Sequence, residues 1–202
     1  MLVVGLTGSI AMGKSAVAGM LASLGAPVFD ADATVRDLYS GPLAQKVEGL
    51  FPGVTGEKGV DRDRLARRVL HDRDALNRLE ALVHPEVAKA RLAFFERAHK
   101  EGRRLVAIDV PLLFETGGQA HVDLVVVVSA SDEAQRSRAL ARPGMTENKL
   151  DTILSKQTPD AEKRQRAHFV IDTSATLNET RDQVRQLLRS LAPMAGGKIG
   201  HA

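Results

Sequence analysis

Apolar and polar positions change period several times along the chain, and each change marks an element. Leu2-Val3-Val4-Gly5-Leu6 reads as a short apolar strand, and Ala16 to Leu24 has the apolar spacing of a buried helix. Gly25 to Asp30 reads as a turn and a short second strand, ending in Asp30-Ala31-Asp32, with Asp32 opening the next helical pattern. From Ala33 to Lys100 the pattern is helical with few strand signals. Asp61 to Leu70 predicts a capped amphipathic helix, and Asp74 to Val83 predicts another, broken at His84-Pro85, where the proline restarts a long helix toward Lys100. Gly53 to Gly59, with its glycines and charges, reads as a loop. Arg104 to Val110 is a strand that ends in Asp109. Val122 to Val128 is a continuous β-branched run suited to a central strand buried on both faces. Ser131 to Ala141 predicts a helix stopped by Pro143-Gly144-Met145, and Thr146 caps a further one. His168 to Asp172 is a last strand, Leu177 to Leu191 a closing helix, and 193–202 a flexible tail. Strands alternating with helices predict an α/β fold: a central parallel sheet flanked by helices in three layers.

The chemistry gathers where the first strand meets the first helix. Gly8-Ser9-Ile10-Ala11-Met12-Gly13-Lys14-Ser15 matches the phosphate-binding P-loop, in the strand-then-helix context that the pattern requires. Its glycines let successive N–H groups turn toward an anion, and the helix behind adds the positive end of its dipole. Gly8 through Ala16 are therefore the candidate ATP-binding residues. Lys14 is suited to the β- and γ-phosphates and the Ser15 hydroxyl to Mg²⁺.

Other candidates lie at strand ends. Asp30 and Asp32 follow the second strand, where open α/β sheets bind ligands, and either could instead cap the next helix. Asp109 ends a strand as the metal-holding acid of a P-loop enzyme does. Leu112 and Leu113, in Pro111-Leu112-Leu113-Phe114-Glu115, either line a substrate pocket or fill the core. Two helices joined by a short breaker and rich in Arg and Lys, with Arg136, Arg138 and Arg142, have the shape of a mobile lid over phosphates. Asn148-Lys149-Leu150-Asp151 spells a guanine-recognition motif, but it falls in a helical hairpin rather than after a strand, and it is read as chance.

Composition narrows the classes. The chain has 202 residues, 44% hydrophobic and 26% charged, with a formal net charge of +3, which suits anionic ligands but is too weak to argue for nucleic acid. Cysteine is absent, which excludes disulfides and thiolate metal sites. No apolar stretch is long enough to span a bilayer, and Met1 leads into a core strand with no charged leader, so a cytoplasmic location with no membrane partner is expected.

The ordered set of these features resembles the dephospho-coenzyme A kinase family from Leu2 to about Leu188. It comprises Gly5-Leu6-Thr7-Gly8 leading into the P-loop, Asp30-Ala31-Asp32, and His84-Pro85 within the helical stretch. It continues with Asp109 to Glu115, Arg138 and Arg142 followed by Gln157, and Val170-Ile171-Asp172. The resemblance implies a P-loop NTPase fold with a helical substrate-binding insert and a helical lid. The core is 1–32, 101–137 and 167–192, the acceptor-binding insert 33–100, the lid 138–166, and the tail 193–202. It implies transfer of the ATP γ-phosphoryl group to the ribose 3′-hydroxyl of dephospho-coenzyme A, a small-molecule substrate, with no obligate protein partner. Asp32 is then the base or orienting group, and Lys14, Arg138 and Arg142 neutralise the transferred group. Asp32, His84, Leu112 and Leu113 contact the acceptor, and Ser15, Asp32 and Asp109 serve Mg²⁺. Three loop positions depart from the family: Ser9, Ala11 and Met12 stand where Gly, Gly and Ser are usual. Pro143 and Thr173 replace the more common Asp and Asn. The alternatives are another P-loop kinase such as a nucleoside monophosphate kinase, a nucleotide-dependent switch, and a non-catalytic ATP-binding module.

Overall fold

The structure is a computed structural model and describes residues 1–70 and 72–196. In chain order the elements are β1 (Leu2–Thr7), α1 (Lys14–Ser23), β2 (Val28–Asp30), α2 (Ala31–Tyr39), α3 (Ala44–Leu50), β3 (Thr55–Gly56), β4 (Gly59–Val60) and α4 (Arg62–Val69). There follow α5 (Arg73–Lys100), β5 (Leu105–Asp109), β6 (Leu124–Ser129), α6 (Asp132–Leu140), α7 (Glu147–Leu154), α8 (Asp160–Arg166), β7 (Phe169–Asp172) and α9 (Leu177–Leu191). Two compact units result, one of residues 1–29 with 98 onward and one of 30–97.

The first unit is built on a five-stranded sheet of order β2-β5-β1-β6-β7. β1 pairs in parallel with β5 on one side and β6 on the other, and β6 pairs in parallel with β7. The alternation along β1 and β6 decides which face each residue serves. Leu2, Val4, Leu6, Leu124, Val126 and Val128 pack on one face with Val17 and Leu21 of α1 and Val184, Leu187 and Leu191 of α9. Val125 and Val127 point to the other face and pack against Leu113 and Phe114. The chain leaves β1 in one direction to reach β2 and β5 and later crosses to β6 on the other side. Such a reversal opens a crevice at the carboxyl ends of the strands.

The second unit is mainly helical and buries Tyr39, Leu43, Val47, Phe51, Leu65 and Leu79 among others. Asp30 caps α2, accepting the Ala33 N–H at 2.8 Å, so the capping alternative belongs to Asp30 and not to Asp32. Asp61 caps α4 in the same way.

Three expectations are corrected. The stretch from Gly53 to Gly59 is a small antiparallel hairpin, β3 with β4, rather than a plain loop. Its anchor is Glu48, whose carboxylate accepts N–H groups from Gly53, Val54 and Thr55 and the Thr55 hydroxyl, and these bonds hold its pKa below the usual range. The helix expected to break at His84-Pro85 does not break, since α5 runs through Pro85 for 28 residues. The missing proline N–H deprives only the Ala81 carbonyl, on an exposed residue where water can serve it, while Ala75, Leu79 and Val83 hold the helix to the core. Of the tail, Met194–Gly196 form a 3₁₀ turn, and 197–202 lie outside the described residues.

Candidate active site

The segment from Thr7 to Lys14 turns tightly at the crevice beside β1. Gly8 approaches β6 so closely that a Cβ there would lie 2.5 Å from the Val128 carbonyl oxygen. Gly13 has φ +84° and precedes α1, whose amino terminus no side chain caps. Successive N–H groups at such a turn and helix start form an anion site.

Ala11 also has a left-handed backbone, with φ +62°, alone among the described non-glycine residues. That conformation costs an L-residue about 1–2 kcal/mol. The methyl group is buried and packs with Ala139 and Leu150 of the two lid helices, and burial of one such carbon returns about 0.8 kcal/mol. Ala11→Gly relieves the strain, loses the contact and loosens the unfolded chain. These changes nearly cancel, so urea denaturation should place the variant within about 1 kcal/mol of the parent protein.

Met12 is likewise anchored, with its side chain buried and its Sδ accepting the Ala130 N–H at 3.0 Å. Ile10 is held at both main-chain groups. Its N–H donates to Gln157 Oε1 at 3.1 Å, and its carbonyl accepts from Gln135 Nε2 at 2.8 Å. The loop departures Ala11 and Met12 therefore act as packing anchors, and the loop keeps its cradle shape.

A cleft of about 440 Å³ opens over this loop, lined by Gly8 to Ala16 and by Pro111, Arg138, Arg142, Ile153 and Gln157. The register of β1 on β5 sets Leu6 beside Asp109, and this brings the buried Asp109 carboxylate to the Lys14 ammonium as an ion pair. Arg142 is exposed at the cleft. Arg138 is half-buried, and its guanidinium donates to Thr173. The structure thus brings together the P-loop, Asp109, Arg138 and Arg142 in one unit.

Asp32 and His84 belong to the other unit, exposed on α2 and α5 respectively. The two leucines after β5 part company. Leu113 is 1% exposed and packs under the sheet with Val125 and Val127, which withdraws it from the acceptor set. Its neighbour Leu112, in the turn that follows β5, lies at the surface, at 41% exposure.

Sequence reasoning missed a buried ion pair between α8 and the turn after β5. Lys163 of α8 is fully buried with its Nζ 3.0 Å from Glu115 Oε1, though misaligned for a hydrogen bond. Glu115 also accepts the Thr158 N–H at 2.7 Å. Burial raises the Glu115 pKa, but the N–H bonds and the Lys163 charge outweigh it and hold the carboxyl below its usual value. No pattern in the chain signals this pair, because the charges stand 48 residues apart. The Asn148-to-Asp151 string lies on α7, where Leu150 is buried and Asp151 pairs with Arg136, so it serves the lid's packing.

A parallel sheet of this order, carrying the loop where its strand order reverses, is the architecture of the P-loop kinases. Within that class the chain belongs to the dephospho-CoA kinase family, whose model matches residues 2–179. A dephospho-CoA kinase of Rhodopseudomonas palustris is 54% identical over 96% of this chain and 98% of its own length. Another, of Novosphingobium aromaticivorans, is 57% identical over 94% of each. The crystal structure of TT1252 from Thermus thermophilus matches with a TM-score of 0.77 and 34% identity, covering 95% of this chain and 98% of that one.

Proposed function

We propose that the chain transfers the γ-phosphoryl group of ATP to the ribose 3′-hydroxyl of dephospho-coenzyme A, and that it does so in the cytoplasm. The observation that carries this reading is the P-loop cleft, complete with two arginines, in a chain that belongs to the dephospho-CoA kinase family nearly end to end. A bond forms between the 3′-oxygen and the γ-phosphorus, the bond from that phosphorus to the β,γ-bridging oxygen breaks, ADP leaves, and the hydroxyl proton departs. Phosphoryl transfer is largely positioning and charge stabilisation.

Residues Gly8 to Ala16 hold the phosphates through main-chain N–H groups. Lys14, paired with Asp109, supplies a point charge to the β- and γ-phosphates. Arg138 and Arg142 neutralise the transferred group from the lid, residues 138–166. Asp32 receives or orients the acceptor hydroxyl, and the insert, 33–100, with His84, binds the acceptor, as does exposed Leu112.

Ser15 and Asp109 present hard oxygen donors, and no cluster of three acidic or histidine side chains occurs among the described residues. That donor set fits Mg²⁺, which typically takes one or two protein oxygens and completes its shell with phosphates and water. Ser15 and Asp109 are the residues that would hold it. When bound, the ion offsets negative charge on the phosphate oxygens.

Purified protein given Mg-ATP and a panel of acceptors tests the assignment through ADP release. Turnover is expected with dephospho-coenzyme A and not with nucleoside monophosphates. The reverse preference would transfer the chain to the nucleotide kinases, and no turnover at all would leave a binding module.

A further inference from the structure

Thr173, the first residue after β7, is buried at 5% exposure. Its hydrogen bonds nevertheless join three parts of the site. The N–H donates to the Ser129 carbonyl at the end of β6, at 2.9 Å. The hydroxyl donates to the Met12 carbonyl of the P-loop at 2.8 Å and accepts from Arg138 Nη1 at 3.0 Å. The Thr173 carbonyl accepts from Arg138 Nη2 at 2.6 Å. Gly13 also closes on this residue: a Cβ there would lie 3.0 Å from Thr173 Oγ1.

A hydroxyl has one proton and two lone pairs. Because the proton is given to the Met12 carbonyl, a lone pair is turned toward the guanidinium. The two bonds then form a short chain, Arg138 to Thr173 to Met12, in which each polarises the next. A fork-shaped guanidinium held at two acceptors on one residue has a defined plane, which a single contact would leave free to rotate.

We propose that Thr173 is a positioning residue that acts through Arg138. Its hydroxyl locks the plane of the lid arginine to the apex of the P-loop, so that the arginine and the phosphate cradle keep one register during phosphoryl transfer. The proposal rests on the assignment of Arg138 to the nucleotide, and that assignment is tested separately by Arg138→Ala alone.

Thr173→Val keeps the shape and removes the hydroxyl. It is expected to lower kcat/KM for ATP about tenfold, the equivalent of about 1.4 kcal/mol for one charge-assisted bond. The loss should fall mainly on kcat. Thr173→Ser, which restores the hydroxyl, is expected to recover most of the loss. In an Arg138→Ala background the same Thr173→Val change should cost less than twofold, because its target is already gone. Equal cost in the two backgrounds, unchanged kinetics of Thr173→Val, or no recovery in Thr173→Ser would overturn the proposal. Should Thr173→Val fold poorly by its thermal transition, Thr173→Cys keeps the size with only weak hydrogen bonding and carries the same expectations. If Arg138→Ala turns over at the parent rate, the role of Arg138 fails while the kinase reading stands on the parent protein's turnover with dephospho-coenzyme A.

Discussion

Asp32→Asn is expected to lower kcat by about 10²–10⁴-fold, the range typical of a positioned acid or base, while leaving the ATP KM nearly unchanged. The split follows from where the structure places the carboxylate. Capping of α2 belongs to Asp30, which accepts the Ala33 N–H, so Asp32 stands exposed in the first turn without a capping duty. Asparagine there keeps the size and costs the helix little. What it removes is the negative charge to which the proposed mechanism assigns the acceptor's hydroxyl proton. In the proposed mechanism ATP is held instead by main-chain groups of the loop, which the substitution leaves in place. Steady-state kinetics with varied ATP at saturating dephospho-coenzyme A check both halves, and turnover at the parent rate would remove Asp32 from the mechanism.

Lys163→Met is expected to destabilise the protein by about 3–5 kcal/mol, because it leaves the Glu115 carboxylate in a partly buried position without its cation. Urea unfolding of the single variant and of Glu115→Leu/Lys163→Met measures this. The double variant should recover much of the loss, since an apolar pair removes both desolvated charges. The pH dependence has a fixed sign. Burial pushes the Glu115 pKa up in the folded protein, but the N–H groups of Glu115 itself and Thr158, with Lys163, outweigh it and hold it depressed. Its contribution to stability is therefore present above the unfolded value of about 4.3 and is lost as pH falls through the folded one. In Lys163→Met the folded pKa rises, and the acid limb of the stability curve should move to higher pH. An unchanged acid limb would show that the backbone N–H bonds from Glu115 and Thr158, and not the ammonium, govern this carboxyl.

How the chain met these expectations differs between its parts. The P-loop was legible because its chemistry is local: strand, glycines, lysine, serine and helix follow one another within the reach of a single turn. β6 was legible because a strand buried on both faces needs apolar residues throughout. α9 was legible as a helical run from Leu177 to Leu191, and the structure adds the capping box of Thr176 and Glu179 that starts it. α8 carries no such mark. It is seven residues of mostly charged sequence, and its one buried side chain is Lys163, so no apolar period announces it. The hairpin anchored by Glu48 escaped for a related reason: its strands are two residues each, and a carboxylate several residues away holds them.

By itself the sequence determined the class of fold, the phosphate-binding loop and the family, because each depends on residues adjacent in the chain or on an ordered series of short motifs. Only the tertiary structure decided which of Leu112 and Leu113 faces out, which aspartate caps α2, and that Ala11 and Met12 brace the loop. It alone joined Glu115 to Lys163 and Thr173 to both Arg138 and Met12. Those outcomes depend on hydrogen bonds and packing between residues far apart along the chain, and neither composition nor periodicity encodes the distance at which two such side chains meet.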